Sequence, residues 1–132
     1  MTRDRLLDIV PELTECFPAI EVLYVFGSQA TGKAGAASDV DLAVYLTEND
    51  IRGNPCLDLE IGHFVEKKLR CPVDVVVMQR ISPILQHQVL ANGRRLFERD
   101  PGRRVILESL SFKRYLDVRH YQKKRLEASV HG

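Results

Sequence analysis

Leu6, Val10, Leu13 and Phe17 recur at intervals of three or four residues between charged positions. That spacing places them on one face of a helix, predicted over residues 2–16, with Pro11 expected to kink or divide it. The pattern then changes to an almost unbroken apolar run, Ile20-Glu21-Val22-Leu23-Tyr24-Val25-Phe26, which reads as a strand ending at Gly27. Residues 28–37 are small and punctuated by glycine, predicting a short helical turn and a loop. Val40 to Leu46 reads as a second strand, and Asn49 to Pro55 as a polar loop. Residues 56–69 return to helical spacing, with Leu59, Phe64, Val65 and Leu69 inward. Val73 to Met78 is β-branched and predicts a third, buried strand. Ser82-Pro83 supplies an N-cap and a first-turn proline for a helix to about Ala91, which Asn92-Gly93 stops. Arg94–Glu98 fits a short edge strand. Asp100-Pro101 opens a last helix to about Ala128, with Val105, Ser109, Phe112 and Leu116 among its apolar face positions. Strands alternating with helices indicate an α/β domain.

At 132 residues the chain supports one domain, residues 1–132, with a core over about 1–98 and a terminal helix over about 101–128. No apolar run approaches the ~20 residues that span a bilayer. Met1-Thr2-Arg3-Asp4-Arg5 has no signal-peptide character, so the expected compartment is the cytoplasm. Cys16, Cys56 and Cys71 are odd in number and widely spaced, which argues against both a disulfide framework and a zinc site. Charge is unevenly spread. Residues 1–92 carry a net of −5 and residues 93–132 a net of +6. The basic tail suits an acidic partner, a nucleic acid or a solvated helix face.

The chemistry concentrates around Phe26-Gly27-Ser28, ten residues ahead of Asp39-Val40-Asp41. A Gly-Ser turn leaving a strand offers backbone N–H groups and a hydroxyl to an anion. Residues i and i+2 share one face of a strand, so Asp39 and Asp41 are neighbours there. Paired carboxylates bind hard cations such as Mg²⁺, which also take phosphate oxygens. Asp74 is the one acid in the third strand run, and an ionised acid inside such a run needs a partner or a metal. If the two strands adjoin, the three carboxylates serve two cations about 3.5–4 Å apart, the arrangement that clamps both oxygens of an in-line phosphoryl displacement.

The other polar residues carry less. Lys33, in the phosphate-side loop, has two readings, a triphosphate contact and, favoured over it, a mobile solvated lysine. His63 and His87 have no partner at i+4, so neither forms a metal pair. Arg119-His120-Tyr121 reads as helix surface or interface. Ser28 has no histidine and carboxylate in register for a triad. The glycines of residues 27–35 match neither a P-loop nor a dinucleotide fingerprint.

Over Phe26–Val44 and Val73–Val77 the chain resembles the nucleotidyltransferase superfamily of DNA polymerase β-type enzymes. More narrowly it resembles the minimal nucleotidyltransferase antitoxins paired with HEPN-domain toxins. The resemblance implies a small mixed sheet of three to four strands flanked by helices, with a long C-terminal helix. It implies that Gly27 and Ser28 hold the triphosphate of ATP, and that Asp39 and Asp41 hold two Mg²⁺ ions. Asp74 would hold the catalytic metal and orient or deprotonate the incoming hydroxyl. The implied reaction is transfer of AMP from ATP to a tyrosine of the HEPN toxin, silencing it. Two alternatives remain: an antitoxin that neutralises by binding alone, and an adenylyltransferase acting on a small molecule such as an antibiotic. Direct nucleic-acid binding is not expected, and homo- or hetero-oligomers both stay open. Ala36 and Ala37 stand where relatives often carry arginine or another large polar residue, which implies a looser hold on the triphosphate.

Overall fold

The structure, a computed structural model, describes residues 2–27 and 39–131. Four strands form one sheet: β1 (Ile20–Phe26), β2 (Val40–Leu46), β3 (Val73–Val77) and β4 (Arg94–Glu98). Their order is β3-β2-β1-β4. β1 runs antiparallel to both β2 and β4, whereas β2 and β3 are parallel. The sheet is therefore mixed, as expected.

Among the described residues five α-helices accompany it: α1 (Thr2–Cys16), α2 (Glu48–Gly53), α3 (Leu57–Leu69), α4 (Pro83–Asn92) and α5 (Pro101–His131). α1 and α3 cover one face. Leu6, Val10 and Leu13 from α1 and Ile61, Val65 and Leu69 from α3 pack there on Leu23, Val25, Val40, Leu42 and Val44. α4 and α5 cover the opposite face, where Val22, Tyr24, Ala43, Tyr45, Met78, Val89 and Leu107 form a second core. No helix among the described residues is long and apolar enough to cross a membrane.

Several local expectations need correction. Pro11 does not split α1, which is one helix through that residue. Its buried leucine face outweighs the lost backbone bond, and Thr14 Oγ1 donates back to Val10 O at 2.9 Å. The supposed polar loop after β2 holds the short helix α2, with two acids in its first turn. Leu59 faces solvent, 68% exposed, while Leu57 and Ile61 point inward. β3 lies at the sheet edge and exposes Asp74, where a buried strand was expected.

α5 differs most. Val105, Phe112 and Leu116 are about half exposed, whereas Leu107 and Ser111 are buried. The docked stripe is polar in chemistry. Tyr24 Oη donates to Glu108, Arg104 pairs with both Glu98 and Glu108, and Tyr45 Oη meets Ser111 Oγ at 2.6 Å. Burial and the Glu108 carboxylate push the Tyr24 hydroxyl far above the ordinary tyrosine range, so it stays a donor. The first half of α5 is thus part of the domain core.

α4 is placed by its ends. Ser82 Oγ accepts from Leu85 N at 3.2 Å with Pro83 in the first turn. At the other end a Cβ on Gly93 would lie 2.5 Å from Val89 O and 3.1 Å from Val25 O, so only glycine lets the chain turn into β4.

Candidate active site

The C-terminal end of β1 and the N-terminal ends of β2 and β3 meet at one end of the sheet. Here β1 stops at Gly27, whose φ of +70° lies in the left-handed region that glycine tolerates. A Cβ at this position would stand 2.7 Å from Asp41 Oδ2. The backbone conformation favours glycine here, and the absent side chain leaves the Asp41 carboxylate free to lie against the turn.

Asp41 lies opposite Phe26 in the β1–β2 ladder and opposite Asp74 in the parallel β2–β3 ladder. Neighbouring strands are about 4.8 Å apart, so the two carboxylates leave the same face side by side. Val40 N donates to Pro72 O at 3.0 Å, which locks the starts of the two strands together. Asp39 precedes β2 by one residue and shares the Asp41 face by alternation. Asp39 and Asp74 are exposed and Asp41 is half-buried.

Desolvation, then the charge of Asp74, then that of Asp39, all raise the Asp41 carboxyl above its ordinary range. None of the three acids has a hydrogen-bond or ion-pair partner among the described residues. This is a cluster of mutually repelling charges at the end of the sheet, the donor chemistry that suits a hard divalent cation. It is not a closed cage: among the described residues no three His, Cys, Asp or Glu side chains are gathered closely enough to hold a metal ion. A cation bound here would complete its shell from phosphate and water oxygens, as Mg²⁺ commonly does.

Ser28, Lys33, Ala36 and Ala37 lie outside the described residues, so the anion-binding half of the expected site is represented by Gly27. His63 shares a groove of about 260 Å³ with Asp58, Gly62, Glu66 and Asp74 along the outer side of β3. His87 stacks on Tyr115, rings parallel and 3.7 Å apart, between α4 and α5, away from the acids. The three cysteines are unpaired, two of them exposed. A feature that sequence reasoning missed is a groove beside Gly27 presenting Gln88 and Asn92 from α4. Their i, i+4 spacing was visible, but nothing in the sequence tied that face of α4 to the end of β1.

Residues 9–102 match the family model described as polymerase beta, nucleotidyltransferase. The chain is 30% identical over 111 residues to protein adenylyltransferase MntA of Aphanizomenon flos-aquae, covering 74% of this chain and 73% of that protein. Among solved structures, a toxin–antitoxin with AMP-PNP superposes with a TM-score of 0.73 at 20% identity, over 94% of this chain and 98% of the other. The antitoxin complex of tri-AMPylated Shewanella oneidensis HEPN toxin superposes with a TM-score of 0.69 at 19% identity, over 98% and 99%. At such identities these two structures establish the shared fold.

Proposed function

The chain belongs to the polymerase beta nucleotidyltransferase family, and we propose that it transfers AMP from ATP to a tyrosine hydroxyl of a partner HEPN-domain toxin, acting as its antitoxin. The observation that carries this reading is the in-register pair Asp41 and Asp74, with Gly27 packed directly against the Asp41 carboxylate. One end of the sheet thus joins an anion-binding turn to a cation-binding pair.

Asp39, Asp41 and Asp74 would hold Mg²⁺, which when bound neutralises charge on the α-phosphate and on departing pyrophosphate. Gly27, in its left-handed conformation beside the Asp41 carboxylate, would offer its backbone N–H to the triphosphate once a cation neutralises that acid. Asp74 is exposed on the edge strand β3, where it is open to an acceptor. There it orients the acceptor hydroxyl and takes its proton as the oxygen bonds to the α-phosphorus. The bond from the α-phosphorus to the bridging oxygen breaks, and pyrophosphate leaves. A binding-only antitoxin gains nothing from two like-charged carboxylates set in register with no partner among the described residues, which favours catalysis over binding alone. The proposed use of ATP supports the cytoplasm as the compartment of the reaction.

The test is incubation with α-phosphate-labelled ATP and the HEPN partner. Label on the toxin, with release of one pyrophosphate per AMP added, is the expected result. Label that never leaves ATP, or that appears on the toxin equally with Asp39→Asn or Asp41→Asn, would overturn the assignment.

A further inference from the structure

Beside Gly27 runs a cavity of about 460 Å³ lined by Phe26, Gly27, Leu85, Gln88, Val89 and Asn92. The four α4 residues are spaced i, i+3, i+4 and i+7, so one helix face forms a whole wall. The end of β1 forms the other wall. Val89 is buried and Phe26 and Leu85 half-buried, giving an apolar floor. Gln88 and Asn92 are exposed at its rim, and neither amide has a hydrogen-bond partner among the described residues.

We infer that this groove seats the heterocyclic base of the nucleoside triphosphate, with Gln88 and Asn92 reading the base edge. The inference rests on the proposed function for the acid site and adds a base subsite to it. Three observations carry it. The groove begins at Gly27, which touches Asp41, so it is continuous with the phosphate and cation centre. Among the described residues no charged side chain lines it, which suits a neutral ring and not the phosphates themselves. Amides present donors and acceptors together, and Asn and Gln pair with the mixed donor–acceptor edges of bases for that reason.

Position sets the groove apart from the acid assigned to the acceptor hydroxyl. Asp74 is on β3, whereas the groove lies at the end of β1 against α4, with β2 between the two strands. Its volume falls within the ordinary range of small-molecule sites.

The experiment compares ATP with inorganic tripolyphosphate by calorimetry in Mg²⁺, using the full chain. Wild-type protein is expected to bind ATP at least about tenfold more tightly than tripolyphosphate. Gln88→Ala and Asn92→Ala, both at exposed helix positions, are each expected to weaken ATP binding about fivefold or more, leaving tripolyphosphate unchanged. A third variant, Leu85→Trp, fills the groove and is expected to do the same. Equal affinity of wild-type protein for both ligands would overturn the inference. So would variants that keep full ATP affinity, lose tripolyphosphate in parallel, or lose only transfer to the toxin. Failure of wild-type protein to bind either ligand in a Mg²⁺-dependent way would instead overturn the reading of the acid site, a result distinct from a failure confined to the base.

Discussion

Asp41 and Asp74 stand abreast in the parallel β2–β3 ladder, like charge beside like charge, with no cation partner among the described residues. The folded chain keeps this repulsion at a place where the same two residues could have been any pair of strand formers. Such a pair weakens the empty protein and strengthens the loaded one.

Asp41→Asn should therefore raise the stability of the metal-free protein. It removes a half-buried charge and its repulsion by Asp74 and Asp39 at nearly constant volume. A rise in Tm of about 1–3 °C is expected in chelator. The same variant should lose the stabilisation that Mg²⁺ and ATP give the wild-type chain. A fall in Tm in chelator would mean that Asp41 has a favourable partner.

Mg²⁺ should control nucleotide affinity. With ATP bound only when the carboxylates are neutralised, the divalent ion adds stability by mass action, about 2.7 kcal/mol at ligand concentrations 100-fold above Kd. Thermal shift with ATP, with Mg²⁺, and with both measures this. Equal, tight ATP binding in chelator would dismiss the cation role of the acids.

Asp74→Asn should separate binding from chemistry. Asp74 lies on the exposed edge strand, whereas Asp41 is packed against Gly27, so loss of Asp74 leaves the triphosphate side of the site in place. The expected outcome is transfer slowed by at least about 10²-fold, the usual contribution of a positioned general base. ATP affinity should stay within a few-fold of wild type. Wild-type transfer rates in this variant would remove Asp74 from the chemistry.

The acids were legible in the sequence because their spacing carries geometry. An Asp-x-Asp at a strand start has one outcome under alternation, and a third acid in a β-branched run demands an explanation. What the sequence could not convey was the sheet order. Only the parallel β2–β3 register sets Asp74 level with Asp41, and only the edge position of β3 leaves Asp74 exposed. The helix α5 misled for a related reason. Its apolar positions Val105, Phe112 and Leu116 define a clear stripe, yet the side that docks is Arg104, Leu107, Glu108 and Ser111. Those residues look like surface until Tyr24 and Tyr45 are known to face them.

That docking is itself testable. Tyr45→Phe leaves the Ser111 hydroxyl, 2% exposed, without its tyrosine partner. A loss of about 1–2 kcal/mol in unfolding free energy is expected, because a buried unsatisfied group costs more than its bond contributed. Adding Ser111→Ala to that variant should recover much of the loss, since removing both partners leaves nothing unsatisfied. Denaturant unfolding of the four proteins in the cycle measures it. Strict additivity would show that the two hydroxyls do not interact.

The second half of α5 offers a different surface. Beyond Val118 every described side chain is exposed, and Tyr121 and Leu126 are left among Arg119, Lys123, Lys124 and Arg125. Neither core cluster of the described residues includes them, which leaves these side chains exposed. Exposed apolar groups rimmed by charge are the usual composition of a partner surface, and a basic rim steers an acidic one. Removal of the whole helix after Asp100 is a poor test, because it would also strip Leu107, Glu108 and Ser111 from the core. Charge reversal at Lys123 and Arg125 leaves those contacts untouched. The double reversal should weaken capture of the HEPN toxin about tenfold or more at low salt, with less effect at high salt, where screening has already removed the steering. ATP binding should not change, because these residues lie far along the helix from Gly27 and Asp41. Undiminished capture at both salt concentrations would show that the charges are solvated surface and not contacts.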